Sequence, residues 1–222
     1  MFVGHLALGL VAKRFEPKIS LGAWTLAVML ADLLCFGFLI AGIEHFDVEP
    51  GGAGKRFVAA TFFFAYSHSL LMNAIWAALF AAVYFLRRRY ARGAWLLFAA
   101  VLSHWPLDFI SHNPDMALAP GTSTAYGMGL WNSIPATMII EGGFWLFAII
   151  LYVRATHPKK RVANYALWSV IALLTLTWYG NITKGIGPNP VRAGINGLIF
   201  FSLVVAWAYW MNRLRPVQGE MA

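Results

Sequence analysis

The sequence predicts an all-α integral membrane protein in which six transmembrane helices and a short N-terminal helix form a bundle around a polar site. Hydrophobic residues make up 60% of the 222 residues and charged residues only 12%. A soluble domain averages roughly 45–50% apolar and about 25% charged residues. The chain therefore lacks the polar surface that water requires, and the soluble and disordered classes are excluded. A single cysteine, Cys35, also excludes a disulfide framework.

Apolar runs of about 18 or more residues predict the spanning helices. A shorter run, residues 2–11, precedes them and predicts an interfacial or re-entrant helix packed against the bundle. No internal repeat or long linker divides the chain, so residues 1–222 are expected to form a single transmembrane domain. The six predicted spans are residues 20–43, 56–86, 93–111, 132–153, 162–180 and 193–212.

The distribution of basic residues accounts for the net charge of +8. If residues 13–18 are cytoplasmic and the chain then alternates across the membrane, most of the 17 Lys and Arg residues fall in cytoplasmic loops. This pattern follows the positive-inside rule and predicts a cytoplasmic C-terminus. The charge thus indicates topology, and nucleic acid is not expected as a partner.

Ionisable residues inside the apolar runs are the candidates for function, because charge at bilayer depth is costly. Any one of them could be a neutral histidine or a protonated acid bonded to a neighbouring helix. The set as a whole contains acids and histidines but no Lys or Arg, so a bound metal ion is the expected source of positive charge. The set is His5, Asp32, His68, His104, Asp108, His112 and Glu141.

The sharpest local motif is His104-Trp-Pro-Leu-Asp108-Phe-Ile-Ser-His112. Residues at i, i+4 and i+8 share one face of a helix, and the outer two are separated by about 12 Å of helical rise. That distance is too long for one ion. Asp108 is therefore predicted to bridge two metals, with His104 on the first and His112 on or near the second.

The depth of these residues predicts where the site opens. In the predicted topology, Asp32, His68, His104 and Glu141 all lie between the bilayer midplane and the outer surface, with His112 at the outer mouth. One polar cavity that opens to the outer leaflet or periplasm can collect them.

Several short motifs resemble the YdjM-like family of bacterial inner-membrane metal-dependent hydrolases. They are Gly4-His5, Ala31-Asp32, Ser67-His68-Ser69-Leu70 and His104-x3-Asp108, and the resemblance covers roughly residues 1–115. That family is in turn similar to the zinc-dependent phospholipase C and nuclease superfamily. The resemblance implies location in the bacterial inner membrane. It also implies metal-ligand roles for His5, Asp32, His68, His104, Asp108, His112 and Glu141.

Two positions depart from the family pattern. Leu34 stands where members often carry a second acid, and Phe62-Phe63-Phe64 stands where they often carry a His-Arg pair. These departures imply fewer metals or a different use of Asp32.

The function expected from the sequence is metal-dependent hydrolysis of a lipid or phosphoester at the outer leaflet. One to three divalent ions, Zn²⁺ above all, would activate water. Asp32 and Glu141 are the predicted catalytic residues. Two alternatives remain open: a proton- or metal-coupled transporter that uses the same acids and histidines, and a structural or regulatory protein with a static metal. The sequence leaves the oligomeric state open.

Overall fold

Helices dominate the chain in the computed structural model, which describes residues 1–48, 60–184 and 187–217. Two short antiparallel hairpins complete the fold, β1 (His45–Val48) with β2 (Ala60–Phe63) and β3 (Met116–Ala117) with β4 (Ala125–Tyr126). The helices are α1 (Val3–Phe15), α2 (Leu21–Val28), α3 (Leu30–Ala41), α4 (Ala65–His68), α5 (Leu70–Arg88), α6 (Ala91–Leu102), α7 (His104–Ser111), α8 (Ile134–Ala155), α9 (Arg161–Lys184) and α10 (Pro190–Leu214).

The described residues contain five helices long and apolar enough to cross a membrane, or six if α2 and α3 together form one bent span. Large apolar side chains cover their outer faces. Leu79 is 53% exposed, Ile139 75% and Leu176 70%. Such side chains are stable in contact with lipid. The chain is mostly helical, as predicted, and its long apolar helices suit the predicted multi-pass membrane architecture.

The first predicted span is broken in its middle. α2 ends at Val28 and α3 begins at Leu30, and the two helix axes differ by 55°. The break at Met29 frees the Val28 carbonyl oxygen for a partner outside the helix. That partner is His104, as shown below.

The prediction of one long helix over residues 56–86 is wrong in its first half. Residues 56–59 lie outside the described residues. The segment that follows forms β2 and then α4, and the long helix begins only at Leu70 and continues to Arg88. The aromatic run Phe62-Phe63-Phe64 is apolar enough to resemble a span, but aromatic residues also favour strands, and this run pairs with β1 through Phe46 opposite Phe62.

The helix predicted at the start of the chain lies inside the bundle. α1 packs mainly against α8 and α2. Val3, Ala7 and Leu10 are buried in the main apolar core. At 13 residues, α1 is shorter than the roughly 20 residues that a span requires. Its burial brings the residues near the start of the chain to the centre of the molecule.

A close approach between α10 and α3 fixes the position of α3. A Cβ atom added at Gly194 would lie 2.8 Å from the backbone oxygen of Phe36 and 3.0 Å from Ile40. Backbone cannot move aside as a flexible side chain can. The absence of a side chain at Gly194 therefore allows α10 to pack directly on the helix that carries Asp32.

We expect Gly194→Ala to destabilise the fold by about 1–3 kcal/mol, because overpacking forces the two helices apart. Gly143→Ala is the matched control, since nothing lies within 4 Å of a Cβ at that position of α8. The control gains up to about 1 kcal/mol of helix propensity. Thermal unfolding in detergent micelles measures both variants. Equal midpoints would show that α10 and α3 are not in close contact.

Candidate metal centre

Five of the predicted site residues come together in the bundle. α1 contributes His5, α3 contributes Asp32, α4 contributes His68, and α7 contributes His104 and Asp108. Their ligand atoms form two groups in which all atoms lie within 4.8 Å of one another. The groups are His5, Asp32 and His104, and His68, His104 and Asp108. Distant parts of the chain thus meet at one point, as the sequence predicts.

The Asp108 carboxylate lies at the centre of this cluster and is only 2% exposed. Its Oδ1 lies 3.0 Å from Nε2 of His5. Its Oδ2 lies 3.2 Å from Nε2 of His104, 3.6 Å from Nε2 of His68 and 3.9 Å from Nε2 of His112. All four histidines therefore direct the same ring nitrogen at one carboxylate.

The break between α2 and α3 orients His104. Its Nδ1 lies 2.9 Å from the carbonyl oxygen of Val28. A carbonyl only accepts hydrogen bonds, so Nδ1 carries the proton and donates it. In the neutral ring this leaves Nε2 with a lone pair that points to the cluster.

A chain of hydrogen bonds orients His68 in the same way. The Ser67 hydroxyl donates to Oε2 of Glu44 at 2.6 Å and lies 2.7 Å from Nδ1 of His68. Since the hydroxyl proton goes to the carboxylate, Nδ1–H of His68 donates to Ser67. Glu44 also accepts hydrogen bonds from the backbone N–H groups of Tyr66 and Ser67, both at 2.8 Å. Glu44 thus fixes the tautomer of His68 from outside the cluster.

Sequence reasoning missed Glu44. It lies outside the long apolar helices, just before β1, and there a glutamate is ordinarily exposed to water. The structure buries it to 1% exposure. Neither composition nor helical spacing relates residue 44 to residue 68, so the link between these two residues can be recognised only in the folded structure.

His112 stands at the edge of the cluster. Its Nδ1 lies 3.0 Å from Oδ1 of Asp115, and its ring packs against Trp131 with 4.6 Å between centroids. The carboxylate of Asp115 accepts a hydrogen bond from Nδ1–H, which leaves Nε2 on the side of Asp108. His112 belongs to neither close group, but it retains the orientation that a ligand needs.

The structure does not bring Glu141 into either close group. Glu141 is fully buried in α8, and its Oε1 accepts hydrogen bonds from the backbone N–H groups of Phe2 at 2.5 Å and Gly4 at 3.1 Å. It therefore caps the first turn of α1, where a carboxylate is favourable. The metal-binding and catalytic roles assigned to Glu141 remain predictions.

The cluster also contains a positive charge that is not on a Lys or Arg side chain. The amino group of Met1 contacts Oδ1 of Asp108 and lies 2.9 Å from the Ser111 hydroxyl. This charge offsets part of the negative charge of Asp108. It lies on the Oδ1 side of the carboxylate, whereas the histidines with fixed tautomers approach Oδ2.

The chemistry of the donor atoms fits a metal ion. Nε2 of His104 lies 3.3 Å from Nε2 of His68, and both nitrogens lie within 4 Å of Oδ2 of Asp108. In neutral rings whose protons are on Nδ1, both Nε2 atoms present lone pairs, and a cation between them would offset the repulsion of these lone pairs. Neutral imidazole and carboxylate are ligands for zinc and similar divalent metals. Only Nε2 of His104 is free, so the two close groups that share His104 describe one ion position.

A cavity of about 420 Å³ opens beside the cluster. Asp32, His68, Asp108 and His112 line one side, and the rest of the wall is mostly aromatic and aliphatic, with a few uncharged polar side chains from α9 and α10. Asp32 is the most accessible acid, with 24% of its side chain exposed compared with 3% for Asp108. The described residues that line the cavity include no Lys or Arg. The site can therefore admit a molecule that is largely apolar.

Comparisons with protein-family models, with curated proteins and with solved structures found no match to this chain.

We expect Glu44→Ala to weaken metal binding by about 10–100-fold, the usual cost of losing a partner that orients a ligating histidine. Ser67→Ala should have a similar effect, and the double variant should add little, because both act through one hydrogen-bond chain. Chelator competition on the purified protein measures the affinity.

Glu16→Ala is the matched control. Glu16 is also buried, but its carboxylate contacts Tyr90 and Arg92 rather than the cluster. Equal metal affinity in the Glu44 and Glu16 variants would show that His68 does not depend on Glu44.

Proposed function

We propose that this chain is a membrane-embedded, metal-dependent hydrolase. One observation carries the proposal: Nε2 atoms of His68, His104 and His112, each with its Nδ1 proton engaged elsewhere, converge on Oδ2 of Asp108. In the neutral rings, this arrangement directs three Nε2 lone pairs at one place before any ion binds. Zn²⁺ is the metal we assign, and when bound it supplies a Lewis acid that lowers the pKa of water near to 7.

The residues of the cluster are assigned two proposed roles, metal ligand and general base. His68, His104 and Asp108 are the proposed ligands at the first position, with His5 on the other side of Asp108. Asp32 is the proposed general base, because its Oδ1 lies 3.5 Å from Nε2 of His68 and its side chain reaches the cavity. A carboxylate in that position can orient a water molecule and accept its proton.

The proposed substrate is a lipid ester or phosphoester. The cavity joins a polar cluster to aromatic walls, including Phe36, Phe62 and Phe200, and this combination suits a polar head on a hydrocarbon body. Since the described lining contains no Lys or Arg, the metal would provide the main positive charge for an anionic head.

The proposal extends to family and location. The motifs around His5, Asp32, His68 and His104 support assignment to the YdjM-like family. The distribution of basic loops supports a bacterial inner membrane with the C-terminus in the cytoplasm and the site open to the outer leaflet.

We expect Asp108→Ala to lose both bound metal and hydrolysis, because Asp108 is the carboxylate on which the Nε2 atoms of the histidines converge. Asp47→Ala is the control, since Asp47 lies exposed on β1. Elemental analysis gives the metal content, and a panel of phospholipids presented in mixed micelles gives the turnover.

Normal hydrolysis by the Asp108→Ala protein would overturn the proposal. If the metal-loaded protein hydrolyses no lipid but carries protons or divalent ions into liposomes, it is a transporter. X-ray absorption that shows a metal saturated by protein ligands would instead assign it a static role.

A further inference from the structure

A second concave surface lies between α8 and α9, on the membrane-facing side of the bundle. It is a groove of about 460 Å³. Leu146 and Ile150 on α8 and Trp168 on α9 line it and are 58%, 42% and 52% exposed. Its walls are apolar over almost their whole length, with Arg154 at one end. Because both helices are candidate spans, the groove opens to the hydrocarbon of the bilayer.

The length of the groove matches one lipid leaflet. The residues of α8 that line it run from Gly142 to Arg154, a helical rise of about 18 Å at roughly 1.5 Å per residue. Half of the hydrocarbon core of a bilayer is about 15 Å thick. A groove of this length accommodates an extended acyl chain.

Trp178 joins the groove to the cavity of the metal centre. Its indole is 6% exposed and lines both the groove and the cavity. It lies opposite Gly142, where an added Cβ would be 2.8 Å from Cη2 of the indole. Trp178 therefore forms part of the wall of both spaces, and a side chain at position 142 would press on its indole.

The Trp178 indole lacks the hydrogen bond that fixes its neighbour. Nε1 of Trp145, also in the groove, donates to Thr175 at 2.9 Å. Nε1 of Trp178 is buried and has no hydrogen-bond partner within the described part of the chain. A buried donor without a partner is energetically unfavourable. Rotation of the Trp178 indole breaks no hydrogen bond with the described residues, whereas rotation of the Trp145 indole breaks one.

We propose that the groove between α8 and α9 binds one acyl chain of a lipid whose polar head occupies the cavity, and that Trp178 is the gate between them. This proposal rests on the proposed function for the position of the head. The continuity of the two spaces at Trp178 identifies the occupant as part of the molecule in the cavity. The exposure of the groove to the bilayer identifies it as hydrocarbon.

Photolabelling tests the direction in which the lipid lies. Two phosphatidylglycerol probes carry a diazirine on one acyl chain, either beside the carbonyl or at the chain end, and are mixed with the full chain in nanodiscs. We expect the carbonyl probe to label residues of the cavity and the chain-end probe to label Ile150 and Val153 in the groove. The label requires no turnover, so it reports on the groove even if no lipid is hydrolysed.

Paired variants test the gate. Gly142→Val places a side chain against the Trp178 indole and should abolish chain-end labelling of the groove, whereas Gly143→Val, with nothing within 4 Å, should not. Trp178→Ala should increase that labelling, because it removes the barrier. Trp210→Ala, on α10 and outside both the groove and the cavity, should leave both labelling patterns unchanged.

Two results would overturn the inference. Labelling in the reverse direction, with the carbonyl probe at Arg154 and the chain-end probe at Trp178, would show a lipid bound independently of the cavity. If the groove is labelled equally strongly in the Gly142→Val and Gly143→Val variants, Trp178 is not a gate.

Discussion

The Asp108 carboxylate is buried inside the helical bundle, and a buried charge is stable only if other groups compensate it. Histidine ring nitrogens approach it from three separate stretches of chain. α1 brings His5, α4 brings His68, and α7 carries His104 on the same face as Asp108 itself. The packing of these helices is therefore tied to one carboxylate.

The irregular points of the backbone surround this carboxylate. The chain leaves regular α-helix at Met29, Ser69 and Ser103, and each interruption is close in sequence to a cluster residue. A broken helix in a membrane exposes polar backbone, which is tolerated only inside protein or beside a cavity. Here the carbonyl oxygen of Val28 accepts a hydrogen bond from Nδ1–H of His104. The breaks thus supply hydrogen-bonding groups that a continuous helix would keep for itself.

The sequence predicted the cluster more accurately than the path of the chain. Ionisable residues in apolar runs are rare, so His5, Asp32, His68, His104 and Asp108 could be identified without a structure. Hydropathy averages over a window, however, and it could not distinguish the strand at residues 60–63 from a helix or detect the break at Met29. Glu44 and Glu141 show a second limit, because the role of a carboxylate depends on which backbone N–H groups lie beside it. That neighbourhood is set by tertiary packing.

The hydrogen bonds of the histidines constrain how many ions the cluster can hold. Nδ1–H of His104 donates a hydrogen bond to the carbonyl oxygen of Val28, so only Nε2 of this ring can bind an ion. His104 therefore cannot bind one ion in each of the two close groups. A second ion would have to use His112, whose Nε2 lies 3.9 Å from Oδ2 of Asp108. Asp108 would then be the group shared by both positions, as the spacing of His104, Asp108 and His112 along the chain predicts.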